Sequence, residues 1–80
     1  MHYVYILQSI DLPNRVYKGS TENLKERLKL HNSGKVDSTA KFKPWKMIFY
    51  CTFTEKKKAL DFEKYLKSAS GIAFMRKRLI

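Results

Sequence analysis

Five side chains in this sequence combine types and spacings that could do chemistry: Tyr5, Tyr17, Arg27, His31 and Glu63. Arg27 and His31 are one helical turn apart, so on a helix they stack on one side. At about 100° per residue both fall within about 60° of Leu24, beside the apolar stripe of Leu24 and Leu28. Lys25, Glu26 and Lys29 point elsewhere, as solvated charges do. Glu63 repeats the pattern with opposite sign, at the edge of a stripe traced by Ala59, Phe62, Leu66 and Ala69, while Asp61 and Lys64 point away. A charge at the margin of a packing face needs a partner, because burying it unpaired is costly. Two readings meet that need: an ion pair between Arg27 and Glu63 bridging two helices, or a shared site for an anionic substrate.

Hydrolysis of a phosphodiester is the chemistry such a set suits. A carboxylate holds a divalent cation, which polarises a phosphoryl oxygen and stabilises the leaving oxygen. An Arg clamps the phosphate and neutralises developing charge. A phenol or imidazole takes a proton from the attacking water. A Tyr titrates near pKa ~10, so it needs cationic neighbours to act as a base. One protein carboxylate is consistent with Mg²⁺ or Mn²⁺, since such an ion keeps waters and leans on substrate phosphate.

Cationic neighbours are plentiful. Among 80 residues, 17 are Lys or Arg and 7 are Asp or Glu, a formal charge of +10. That excess points to a polyanion partner, with nucleic acid ahead of an anionic membrane surface. The length allows one domain, residues 1–80. The single Cys51 excludes a disulfide scaffold, and with only His2 and His31 beside it a zinc finger lacks ligands. No apolar run nears the ~20 residues of a membrane span, and the N-terminus lacks a secretion signal. These features predict a cytoplasmic protein without a membrane partner.

The elements that must position the five residues can be read in outline. Residues 3–10 predict a strand, 11–14 a turn around Pro13, and 15–19 a second strand ending at Gly19. Tyr3, Tyr5 and Leu7 share one face of the first strand. A four-residue loop would put Tyr17 on the opposite face from Tyr5, and a five-residue loop on the same face. The pattern leaves both registers open. Ser20 or Thr21 can cap a helix running to Asn32, with Ser33 and Gly34 as its stop. Residues 35–45 show no period and read as a basic loop carrying Lys35, Lys41 and Lys43. Residues 46–53 predict a third strand, and Thr54 to Ser70 a second helix broken by Gly71, before a short basic helix at the end. The expected fold is an α/β domain of the α+β type: a three-stranded antiparallel sheet flanked by helices, in the order ββαβα(α). Trp45 reads as core, and Cys51 as a buried bystander.

Taken in order, these motifs resemble the GIY-YIG nuclease domain, especially its small single-domain bacterial members. Tyr3-Val4-Tyr5 stands where Gly-Ile-Tyr would be, and Tyr17-Lys18-Gly19 where Tyr-Ile-Gly would be. The segment from Gly19 to Lys35 is similar to the family's first helix, whose Arg and following His match Arg27 and His31. Ala59-Leu60-Asp61-Phe62-Glu63 matches the pattern that ends in the metal-binding Glu. Tyr3 replaces the first Gly, Lys18 replaces the middle Ile, and no Asn follows Asn32, where many members carry one beyond the Glu helix.

The resemblance implies a DNA endonuclease using a divalent metal, Mg²⁺ or Mn²⁺, in DNA repair or recombination. Glu63 would bind the metal and Arg27 the scissile phosphate. Tyr5 or Tyr17 would be the general base, and His31 would assist. Gly19 would allow close approach of the substrate backbone or the first helix, and from the basic surface Lys18, Lys41 and Lys43 are expected to lie against substrate. The charge admits RNA as well as DNA. Specificity would come from the basic surface or from a targeting partner protein. The competing expectation is a nucleic-acid-binding module on the same fold, gripping phosphates through Lys41, Lys43, Lys56, Lys57, Lys58 and Arg76 to Arg78 without turnover.

Overall fold

A computed structural model describes all residues, 1–80. The chain runs β1 (His2–Ser9), β2 (Val16–Thr21), α1 (Leu24–Asn32), α2 (Asp37–Ala40), β3 (Trp45–Phe53), α3 (Lys56–Leu66) and α4 (Ala69–Arg78). The sheet is three-stranded and antiparallel, in the order β2-β1-β3. No helix is long and apolar enough to cross a membrane.

β1 is central, which explains its unbroken apolar run: Val4, Tyr5, Ile6 and Leu7 have no exposed surface. Alternation sends them to two cores. Val4 and Ile6 pack with Ala59 and Leu66 of α3 and Met75 of α4. Tyr5 and Leu7 pack on the other face with Trp45, and Leu24 and Leu28 of α1 close over them. Each such side chain contributes about 1.5–3 kcal/mol by leaving water. A register shift opposite Ile6 and Leu7 leaves Ile48 without a β1 partner, and both Ile48 and Phe49 pack on the α3 side. An extra residue of this kind bends a strand and increases its twist.

The hairpin takes the five-residue loop: Leu7 pairs with Tyr17 and Tyr5 with Gly19. Ser9 N bonds Arg15 O at 3.0 Å, while Ile10 N turns away to Pro44 O at 2.9 Å. β2 continues past Gly19 to Thr21. The cap of α1 is therefore neither Ser20 nor Thr21 but Asn23, whose side chain accepts from Glu26 N at 3.1 Å. The stretch read as loop contains the short helix α2.

The helix after β3 ends at Leu66, short of Ser70. Ser68 caps a separate α4, accepting from Gly71 N at 3.1 Å. Gly71 thus lies inside the first turn of α4 and breaks nothing, and Ala69 is exposed on α4 instead of extending the α3 stripe. Trp45 is core at 4% exposure, whereas Cys51 is half-buried.

Candidate active site

The register puts Tyr5 and Tyr17 on one face of the hairpin, with ring centroids 6.4 Å apart. Tyr5 lies directly across from Gly19. A Cβ on Gly19 would stand 2.5 Å from Tyr5 Oη and 2.7 Å from its Cζ, so the phenol occupies the space a side chain would need. The glycine serves Tyr5 here, beyond any approach of substrate or helix. Gly19→Ala is expected to push the buried ring aside and cost about 1–3 kcal/mol, as overpacking does. A melting curve, together with the His31 ring resonances, checks this. An unaltered melting point and spectrum would show the contact to be slack.

α1 crosses this face and delivers Arg27 and His31. Arg27 Nε donates to Tyr5 Oη at 3.3 Å, and His31 Nε2 lies 2.9 Å from the same oxygen. The His31 ring also sits 4.9 Å, centroid to centroid, from Tyr17. His31 is fully buried, not marginal, and its Nδ1 lies 2.8 Å from Thr39 Oγ1 on α2. Burial, with the Arg27 charge beside it, lowers the His31 pKa, so the ring is neutral at pH 7. Burial raises the Tyr5 pKa, and the Arg27 hydrogen bond and charge oppose that only in part. Hydrogen bonding to Tyr5 raises the Arg27 pKa, ensuring its charge. Tyr17 is half-buried, so it is the phenol that solvent reaches.

Glu63 approaches from the other side of the sheet. Val16, Lys18 and Ser20 alternate with Tyr17 and Gly19, so they face α3 and α4. Ser20 Oγ donates to Glu63 Oε1 at 2.6 Å, and Lys67 Nζ donates to Oε2 at 2.8 Å. Arg27 and Glu63 form no ion pair, so the bridging reading is set aside; the partner of Glu63 is Lys67, one turn on in α3. Burial alone would raise the Glu63 pKa. Hydrogen bonds from Lys67 and Ser20 and the charges of Lys67 and Arg27 outweigh it and hold the carboxyl below its usual range. The carboxylate is therefore ionised at neutral pH, and 19% of its side-chain surface is exposed.

The five residues thus do not line one pocket. They wrap the outer edge of β2, the phenols, Arg27 and His31 on one face and Glu63 on the other. Arg27 lines a cleft of about 280 Å³, Ser20 lines another of about 240 Å³, and Thr21 borders both. An edge strand leaves its outer side open, and the two clefts flank that edge. No group of three His, Cys, Asp or Glu side chains could cage a metal. A lone ionised carboxylate does fit a hard cation that keeps its waters and takes oxygens from a phosphate.

Lys18 is half-buried between Val16 and Ser20; burial and the nearby Lys67 and Arg76 charges lower its pKa. Lys41 and Lys43 are exposed after α2, Lys43 against Gly34, and share no hydrogen bond with the cluster. Sequence reasoning missed Ser20, read as a cap, and Lys67, whose i,i+4 spacing from Glu63 was a usable signal. It also missed Arg76 as a neighbour of Lys18, and Thr39, which no local pattern marks.

Comparison with known proteins follows the same outline. Residues 1–76 match the GIY-YIG catalytic domain. A UPF0213 protein of Lactiplantibacillus plantarum is 36% identical over 75 residues, covering 90% of this chain and 72% of the relative. A UPF0213 protein of Clostridium perfringens is 38% identical over 71 residues, covering 84% and 71%. The structure-specific endonuclease subunit SLX1 of Debaryomyces hansenii is 41% identical over 71 residues, covering 80% of this chain and 20% of that protein.

Proposed function

This chain belongs to the GIY-YIG catalytic domain family, and from that premise we propose that it is a metal-dependent endonuclease, hydrolysing DNA phosphodiester bonds with little sequence preference of its own. One observation carries the reading: an ionised carboxylate and a charged guanidinium flank the open edge of a strand that also carries a half-buried phenol. A structural ion pair would have joined the two charges; here Tyr5 holds the guanidinium, and Ser20 and Lys67 hold the carboxylate.

Arg27 spends its Nε–H on Tyr5 and keeps its terminal NH₂ groups for the scissile phosphate. Tyr17, in its phenolate form, would take the proton of the attacking water and return to the neutral phenol, with the Arg27 cation beside it. Tyr5, fully buried and with its pKa raised, is unsuited to that task and instead holds Arg27 against His31. Glu63 would hold the divalent cation, Mg²⁺ or Mn²⁺, whose chemistry at that place is to polarise the phosphoryl oxygen and stabilise the leaving oxygen. Lys18, Lys67 and Arg76, on the Glu63 side of β2, offer charges to the flanking phosphates. The name of the Debaryomyces hansenii relative, a structure-specific endonuclease subunit, supports the same reaction class. We infer that target choice falls to DNA shape or to a targeting protein, in repair or recombination.

The test is supercoiled plasmid incubated with the chain and Mg²⁺ or Mn²⁺. Nicked product is expected with metal and none with a chelator. Salt-sensitive binding without turnover under any metal would replace the enzyme by a binding module.

A further inference from the structure

We propose that Thr39 is a positioning residue of this site: its hydroxyl, carried by α2, sets the tautomer of His31 and thereby the direction in which the Tyr5 phenol gives its proton. The link from Tyr5 to cleavage rests on the function proposed above; the link from Thr39 to Tyr5 does not.

Thr39, His31 and Tyr5 are all without exposed surface, and no buried side-chain nitrogen or oxygen lacks a partner. His31 is the middle of the three, with Thr39 Oγ1 2.8 Å from Nδ1 and Tyr5 Oη 2.9 Å from Nε2. A neutral imidazole has one N–H and one lone pair, so the two contacts must run in opposite senses.

The ends of the chain decide which. Thr39 Oγ1 lies 3.3 Å from Val36 O, a carbonyl that can only accept. The hydroxyl proton has an acceptor there, shared with the Thr39 and Ala40 amides, which leaves Oγ1 able to accept from His31 Nδ1–H. At the other end Arg27 has no acceptor, so Tyr5 Oη accepts from Arg27 Nε and donates to His31 Nε2. All bonds then run one way, from Arg27 through Tyr5, His31 and Thr39 to Val36 O. The other tautomer aims both Arg27 and His31 at the Tyr5 oxygen and leaves the buried phenol proton without an acceptor, which is costly.

Thr39 is well placed to impose this. Trp45 Nε1 donates to Thr39 O at 2.9 Å. Asn32 in turn clamps the Trp45 backbone, accepting from its N at 2.6 Å and donating to its O at 3.0 Å. The four-residue α2 is thereby tied to the C-terminal end of α1, which carries His31.

The experiment reads His31 directly. Imidazole ¹⁵N spectra of the full chain, without DNA or metal, should show Nδ1 protonated and Nε2 bare. Thr39→Val keeps the shape but removes the acceptor of Nδ1–H, so either tautomer then leaves one buried donor unpaired, and the Nε2–H form should appear beside the parent form. Thr39→Ser should restore the parent spectrum. On plasmid, Thr39→Val should lower turnover about 10- to 100-fold, the range seen where a side chain that orients a functional imidazole is removed, with KM for DNA unchanged and Thr39→Ser active. A parent spectrum with Nε2 protonated overturns the inference, even if Thr39→Val fails to fold. So does a folded Thr39→Val that keeps the parent spectrum, or that shifts it while an active parent's turnover is unaltered. A parent that never cleaves, yet shows the expected tautomer and gives both forms in Thr39→Val, sinks the endonuclease reading and upholds the role of Thr39 toward His31.

Discussion

Glu63→Gln is expected to slow plasmid nicking by about 100- to 1000-fold or more, while the fold and DNA binding persist. The substitution keeps the shape and an oxygen for the Ser20 hydroxyl, now 2.6 Å from Oε1, so the α3–β2 contact survives. What it removes is the negative charge, the one property a divalent cation would require of this position. Charge stabilisation by such an ion is worth several kcal/mol at the transition state, and each ~1.4 kcal/mol is tenfold in rate. Against that, the Glu63–Lys67 pair has one half-exposed partner, so its loss costs about 1 kcal/mol of stability or less. DNA binding should hold or tighten slightly, since a negative charge beside Lys18 and Lys67 disappears. The measurements are initial nicking rates, melting temperature and salt-dependent DNA binding on the same samples. A variant that nicks at the parent rate ends the assignment of Glu63, and one that has lost its fold leaves Ser20→Ala as the control for the α3–β2 contact.

How these residues meet was only partly legible beforehand. Types and order were: Arg27, His31 and Glu63 betray themselves as polar groups beside apolar stripes, and β1 as an apolar run too β-branched and short for a helix. Register was not, because Ile10 leaves β1 to bond Pro44, 34 positions on, and a local pattern carries no trace of that partner. The side from which Glu63 arrives was also hidden. Periodicity says that it borders a packing face; only the crossing of α3 over β2 says that this face lies opposite the phenols. Thr39 gave no signal, since its burial comes from α1 and Trp45 folding over an aperiodic stretch. Gly71 was misread for a related reason. Its helix-breaking propensity is a local property, whereas its position answers to a contact made by another helix.

That contact yields the largest stability effect expected in the molecule. In an ordinary helix interior Gly→Ala gains about 1 kcal/mol; Gly71→Ala should instead destabilise by at least ~3 kcal/mol, beyond the usual range for point changes. An added Cβ would stand 1.7 Å from the carbonyl oxygen of Tyr65 and 2.8 Å from Leu66 Cα. Both are backbone atoms, so no side-chain rotation relieves the clash. The oxygen is moreover held in place, accepting from Ser68 N at 3.0 Å and from Ser68 Oγ at 2.6 Å. Relief requires opening the corner between α3 and α4, and that corner seats Leu66 and Met75 in the core. A domain of this size has a total stability of roughly 4–12 kcal/mol. At about 4–8 °C per kcal/mol the melting point should fall by more than ~12 °C, read by circular dichroism. Gly71→Ser should behave the same way, because the obstacle is the Cβ. If Gly71→Ala melts at or above the parent temperature, the corner is looser than its backbone spacing states, and α3 would no longer be firmly fixed where it presents Glu63 to the edge of β2.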